Sequence, residues 1–193
     1  MAFIGMRHVV VAEVDTHVEG SEPTYKEGIV AGRAIQGNLS KTYNDNPLRA
    51  DDMDAENDNS LVSMALELGL DDLEEDAKVY MGLLKKTGTE GAETYFETSA
   101  PSKPMGCGYI RVRRRRSVTS YQAIWIYKVQ FQIESENSQT KGRTIEWNTP
   151  VVNGDCMGID TDGSGEVSYR KIKNFPTYEA AETFLDGLAG ISA

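Results

Sequence analysis

Three short stretches of this chain hold residues of reactive type at suggestive spacings. The first is Asp160-Thr161-Asp162-Gly163-Ser164-Gly165-Glu166, with oxygen donors at positions one, three and five and glycine at six, as in the opening of a calcium loop. The twelfth position, which must supply a bidentate carboxylate, is Lys171, and the flanks have an extended pattern. A Gly-rich hairpin turn is therefore expected in place of a metal site. The second stretch, Gly154-Asp155-Cys156-Met157-Gly158, has the spacing of a nucleophile elbow with a thiol for the hydroxyl. That elbow needs a helix after it and a histidine base later in the chain. A turn and a strand follow here, and both histidines, His8 and His17, come earlier. The third stretch is the arginine run, Arg111 and Arg113 to Arg116. It reads either as a phosphate or nucleic-acid contact, or as a strand end whose guanidinium forks meet carboxylates. The second reading is favoured, and the carboxylates can belong to a neighbouring copy, since unlike patches joined head to tail can close a ring.

No HExxH, CxxC or paired Cys/His spacing supports zinc, and no Walker or dinucleotide glycine pattern is present. The expectation is a protein without catalysis, cofactor or metal. The formal net charge of -10 disfavours nonspecific nucleic-acid binding by the surface as a whole. Two cysteines, Cys107 and Cys156, are too few for a disulfide framework and read as free thiols in a reducing cytosol. The N-terminal stretch has charge too early for a signal peptide, and no apolar run approaches the about 18 residues of a membrane span. At 193 residues the chain is expected to be one domain, 1–193, large enough for a real core.

The elements that must position these groups are mostly strands. Residues 121–145 describe a long two-faced strand, a polar turn and a second strand. Ala123, Trp125, Tyr127, Val129, Phe131 and Ile133 fall on one face by a period of two, opposite Ile124, Ile126, Lys128, Gln130, Gln132 and Glu134. Further strands are expected at 8–14, 28–42, 59–70, 105–116, 143–152 and 167–173. In 59–70 the alternation of Val62, Met64, Leu66, Leu68 and Leu70 outweighs good helix propensity. Loops are expected at 15–27, 44–59 and 87–103. The 44–59 stretch is strongly acidic and reads as either a solvated, flexible loop or one ordered by assembly. A helix is expected over 71–86, with acids first and lysines last, and a short one from the Thr177 cap through Asp186, stopped by Gly187. The sum is a mainly β (α+β) antiparallel sandwich or barrel with one flanking α-helix and a short C-terminal helix.

The segment order resembles the major tail protein of siphoviruses, the tail-tube family of long-tailed phages, especially the type from Gram-positive hosts. The resemblance lies in IVAGRAIQGNLSKTYNDNPLRADD, SLVSMALELGLDDLEEDAKVYMG, the strands around ESENSQTKGRTIEWNTP, and the closing DGSGEVSYRKI. It covers nearly the whole chain as a pattern of segments. It implies the phage tail-tube fold and a structural virion protein whose hexameric rings stack into a hollow tube, first around a tape-measure protein and later around passing DNA. It also implies contact with other tail proteins (terminator, distal tail), assembly in the host bacterial cytoplasm and residence in the virion. Two hairpins per subunit would line the channel, here roughly 29–42 with 59–70 and 121–134 with 143–149. On that placement Ser63, Glu67, Gln130, Gln132, Glu134 and Glu146 face the lumen. Arg111, Arg113, Arg114, Arg115 and Arg116 would meet Asp51, Asp52 and Asp54 of a neighbour. A polar, acidic wall would let DNA slide by offering phosphates no cation. The alternatives are a tail-terminator or head–tail connector ring, and a monomeric β-sandwich binding module with Trp125 or Trp147 in an exposed platform.

Overall fold

A computed structural model describes residues 2–50, 53–116, 118–135 and 149–191, with backbone alone for 2, 46–50, 53–57 and 133–135. The valine-rich start forms β1 (Ala2–Thr16), followed by β2 (Thr24–Gly32) and β3 (Ala34–Tyr43). The acidic stretch forms β4 (Asn46–Ala50) and β5 (Met53–Asp58), and the alternating Leu/Met stretch forms β6 (Leu61–Leu70). After α1 (Glu75–Tyr80) come β7 (Leu84–Thr87), β8 (Thr94–Glu97), β9 (Pro104–Arg115) and β10 (Val118–Ser135). The chain closes with β11 (Val151–Met157), β12 (Ile159–Asp160), β13 (Val167–Ser168), β14 (Arg170–Phe175) and α2 (Tyr178–Ala189).

The fold is mainly β, with antiparallel sheets and two helices. One large sheet has the order β2-β1-β9-β10-β11-β6-β3, and β14 joins β10 beside it. The sheet curls until its far ends meet, with Met6 of β1 packing over Gly37 of β3. The curl encloses a core in which Val9, Val11, Leu66, Leu68, Leu70, Cys107, Tyr109, Ile124, Ile126, Val129 and Phe131 are buried. Each such large apolar side chain contributes about 1.5–3 kcal/mol relative to exposure. A second core lies on the outer face, where Ala181, Leu185 and Ala189 of α2 press onto Val10, Ala12, Ile110, Ala123 and Trp125. Trp125 lies flat against Gly106 and Gly108, where any Cβ would collide with its ring. Thr177 caps α2 by accepting the Ala180 N–H at 3.3 Å. Gly190 ends it in the left-handed region at φ 71°, which glycine adopts without strain. His8, at a bulge with φ 53°, reaches α2, its Nε2 2.7 Å from Asp186 and its Nδ1 3.4 Å from Glu182.

Several expectations need correction. The helix expected over 71–86 spans only Glu75–Tyr80. Its start is spent on a turn in which the Asp71 carboxylate accepts the Arg33 and Asp72 N–H groups. Its end is broken by Gly82 at φ 75°, after which the last residues of the expected helix enter β7 and pair with β8, which lies inside the stretch expected to be a loop. α1 still sets Ala77 and Tyr80 against the enclosed core, while the C-terminal helix covers the outer face of the sheet and runs past Gly187 to Ala189. The single strand expected over 28–42 is two, β2 and β3, on opposite edges of the sheet, and β2 begins at Thr24, inside the expected 15–27 loop. The expected 44–59 loop carries β4 and β5, which pair with each other in a hairpin. The strand expected over 143–152 is Val151–Met157 in its described part. Val167–Lys173 divides between β13 and β14.

The continuous odd-numbered face expected for β10 is also divided. Against β9, Ile126 pairs with Cys107 but Val129 pairs with Met105, so Tyr127 and Lys128 together oppose Gly106. That extra residue is a β-bulge, and it shifts the parity of everything after it. Trp125 and Tyr127 face the helix side, whereas Val129 and Phe131 face the enclosed core with Ile124 and Ile126. The bulge sits where β10 changes partner, from β14 (last pair Ile126 with Arg170) to β11 (first pair Lys128 with Met157).

Candidate functional site

The register of β3, β6, β11 and the second half of β10 builds one polar outer face. Asn38, Glu67, Asn153 and Gln132 stand in a row across the four strands. Ser40, Ala65, Asp155 and Gln130 form the next row, and Thr42 stands opposite Ser63 beyond it. Apolar residues of the same strands alternate inward, so the face is what the buried side leaves outside. A shallow hollow of about 280 Å³ lies between these side chains. Its carboxylates hold the neighbouring amides. Gln36 Nε2 donates to Glu67 at 3.0 Å, and Gln132 Nε2 donates to Asp155 at 3.4 Å. Gln130 Nε2 donates to the Ser102 carbonyl at 2.8 Å. The cation at the margin, Lys128, has its Nζ 2.9 Å from His17 Nδ1.

The structure thus brings Ser63, Glu67, Gln130 and Gln132 together on one face. Glu146 lies outside the described residues, and only the backbone of Glu134 is described. Sequence reasoning missed Asn38, Asn153 and Asp155. The alternation of Val152, Gly154 and Cys156 against Asn153 and Asp155 could have found the last two, had the strand been placed eight residues later.

This four-stranded face has two edges that no described strand covers. Among the described residues no strand pairs with the outer side of β3. On its other flank β10 pairs with β9 only as far as Gln130 opposite Pro104, and among the described residues no strand lies against Phe131–Ser135 on that side. There the Ser102 hydroxyl donates to the Phe131 carbonyl at 2.5 Å.

The arginine run forms the tip of the β9–β10 hairpin. Arg115 pairs with Val118, and Arg116 next to that pair takes φ 45°, as a tight hairpin requires. The guanidinium of Arg111 stacks over Phe3 at 4.8 Å and Tyr109 at 5.8 Å, and Arg113 donates to Asn174 Oδ1 at 3.2 Å. Among the described residues Arg111, Arg114, Arg115 and Arg116 have no carboxylate partner. Of their expected partners, Asp51 and Asp52 lie outside the described residues, and Asp54 has a described backbone in β5.

The two catalytic lookalikes have structural occupations. Cys156 is buried on β11, and burial, with the nearby Asp155 charge, pushes its thiol up to about 12, away from thiolate chemistry. Asp160 spends both oxygens on its own loop, accepting N–H groups of Asp162, Gly163 and Gly165 at 2.8–3.1 Å. Those amides hold its carboxyl below the usual carboxylate range. Trp125 is 1% exposed and is no part of a surface platform, and Trp147 lies outside the described residues.

No protein-family model matches this chain, and no curated protein matches it significantly.

Proposed function

We propose that this chain is a self-assembling structural subunit, the major tail-tube protein of a long-tailed phage, whose rings stack into a hollow tail for genome passage. The observation that carries the reading is the polar four-stranded face with an open edge at each side. Strand directions along it alternate, β10 against β11, β11 against β6, and β6 against β3. Setting β3 of one copy beside the open end of β10 in the next therefore continues an antiparallel sheet. Repetition closes a barrel and removes both edges, which would otherwise invite aggregation. The polar face is the one such a barrel would turn to its channel, because the opposite face is already occupied by the enclosed core.

The number of copies, six, comes from the resemblance to siphovirus tail proteins, as do the tape-measure, terminator and distal-tail partners, assembly in the host cytoplasm and a place in the virion. In the channel Glu67 and Asp155 would repel phosphates while amides offer only neutral contacts, so DNA would slide without binding. The function is geometric and electrostatic, with no turnover. Negative-stain microscopy of the purified full-length chain is the test, and hollow tubes are expected. Single rings that never stack would assign a terminator or connector instead, and a monomer at high concentration would refute the reading. Where tubes form, Glu67→Lys with Asp155→Lys should leave them intact and slow DNA release from virions carrying the variant. Normal release would place this face elsewhere.

A further inference from the structure

At one end of the large sheet β1, β9, β10 and β14 lie side by side, through residues 2–7, 109–116, 118–126 and 170–175. These stretches hold seven arginines and two lysines and no Asp or Glu, in a chain whose formal charge is -10. The whole sequence has ten arginines and ten lysines, so this end is enriched in arginine as well as in charge. A guanidinium fork matches the paired oxygens of a phosphate, which an ammonium meets only as a point charge.

Residues paired directly across strands share a face. Tyr109, Ile124 and Ile172 make one row, in which Tyr109 and Ile124 belong to the enclosed core. Toward the arginine hairpin the next row on that face is Arg111, Gln122 and Asn174, followed by Phe3, Arg113 and Ser120, and then by Arg115 with Val118. Arg170, opposite Ile126, stands on the same face. The two lysines are on the other face, where Lys171 meets Glu22 at 2.7 Å and Lys173 lies over Phe184 at 4.8 Å. Among the described residues of these rows every charge is therefore a guanidinium. Exposure rises along the face from Tyr109 at 1% to Ile172 at 43% and Phe3 at 49%, so the face emerges from the core into solvent. Asn174 Oδ1 ties the rows together, accepting from Gln122 at 3.1 Å and from Arg113 at 3.2 Å. A hollow of about 420 Å³ opens between Arg113, Arg115, Val118, Ser120 and Asn174.

We infer that this arginine face binds single-stranded nucleic acid, with Arg111, Arg113 and Arg115 on successive phosphates and Phe3 beside an unpaired base. Alternate residues of a strand stand about 6.8 Å apart, so the three guanidinium groups form a line that a stretched chain of phosphates can follow. Phe3 and the guanidinium of Arg111, stacked on it at 4.8 Å, supply planes for a base. A duplex keeps its bases stacked inside, and an acidic polypeptide has none, so the single strand is the polyanion that uses both features. The Gln122 and Asn174 amides lie where base edges or phosphate oxygens would pass. Glu67 and Asp155 stand on the opposite side of the sheet and do not oppose a polyanion here. Binding at this face is independent of tube formation.

The test is fluorescence anisotropy of a labelled oligothymidylate of about 16 nucleotides, titrated with the full-length chain across salt concentration. Three or four phosphate contacts at about 0.7 each give log affinity a slope of about -2 to -3 on log salt. Arg111→Gln/Arg115→Gln should flatten that slope by about 1.4 and weaken binding at least about tenfold. Phe3→Ala should weaken binding about fivefold or more and leave the slope unchanged. Arg33→Gln, at a side chain 92% exposed at the β2–β3 turn, should alter neither. Lack of binding at low salt, equal binding of the matching duplex, or wild-type binding by the double arginine variant would each overturn the inference. Uptake by anionic lipid vesicles without binding of the oligonucleotide would overturn it in favour of a lipid surface. Should Arg111→Gln unfold the chain by circular dichroism, Arg115→Glu at its exposed position replaces it. Weaker binding with a flatter slope is expected there too, and wild-type binding overturns the proposal. Tube formation is scored separately by microscopy, so a failure here leaves the proposed function standing.

Discussion

Deletion of single residues from β10 tests whether the bulge at Tyr127–Lys128 sets which side chains reach the core. Without Lys128 the sequence alternates perfectly against β9: Trp125 out, Ile126 in, Tyr127 out, Val129 in, Gln130 out, Phe131 in. Tyr127 would then pair with Gly106 and Val129 would keep Met105. The deletion removes the Lys128–His17 contact at the surface and the bend at the change of partner, a cost of about 1–2 kcal/mol. Deleting Gln130, two residues on, has the opposite consequence. Phe131, now 1% exposed, would turn outward and Gln132 inward. Losing the burial of Phe131 costs about 1.5–3 kcal/mol, and burying an unpaired amide adds about 1–3 kcal/mol. The sum is a large share of the roughly 5–15 kcal/mol that holds a typical domain folded. Urea denaturation followed by tryptophan fluorescence measures both variants. The Lys128 deletion should keep a midpoint near wild type, and the Gln130 deletion should lose most or all of the cooperative transition. Equal damage from the two deletions, or a wild-type midpoint for the second, would refute the assignment of faces.

Two further outcomes follow from the helix side of the sheet. Leu185→Ala empties a fully buried site under α2 and should cost about 2–5 kcal/mol in denaturant unfolding, with the helix signal lost in the same transition. Burial first, and the Glu22 charge second, push the Tyr127 phenol from 10.0 up to about 12, and burial raises Tyr25 as well. A folded-state value above the unfolded one means that the stabilisation is complete below pH 10.0 and lost as pH rises toward about 12. Tyr127→Phe should accordingly flatten the fall of melting temperature over that alkaline range, and an unchanged slope would remove this phenol from the cause.

Much of the strand pattern could be read directly from side-chain period, because burial on one face writes itself into alternation. That is why β6 is placed correctly against its helix propensity, and why Ser63, Glu67, Gln130 and Gln132 emerge on one surface. Period alone carries no mark of a bulge, so the Trp125–Phe131 face reads as continuous although Tyr127 and Lys128 interrupt it. Propensity misled where tertiary pairing competes: the good helix formers of 71–86 give up their last residues to β7, which finds β8. The acids of 45–58 hid a hairpin because charge resembles solvated loop, while the pairing there is held by backbone. The arginines read as a strand end in the sequence, which holds no sign that Phe3, over a hundred residues earlier, lies beneath Arg111.

The closed interior bears on how such a subunit would assemble. Val9, Val11, Leu70, Cys107, Ile124, Ile126 and Val129 are all fully buried within one chain, and α2 seals the outer core without help from a second copy. Folding therefore does not wait for neighbours. Among the described residues no strand covers the backbone edges of β3 and Phe131–Ser135, and Arg114–Arg116 at the tip of the β9–β10 hairpin are exposed. These are polar, solvated groups whose pairing gains little in water unless many form at once. A ring joined through them would be weak at each contact and cooperative in the whole, disassembling to folded monomers and not to unfolded chains. Dilution or high salt should consequently release particles with the monomer's full circular dichroism, whereas an obligate oligomer would lose structure at the same step.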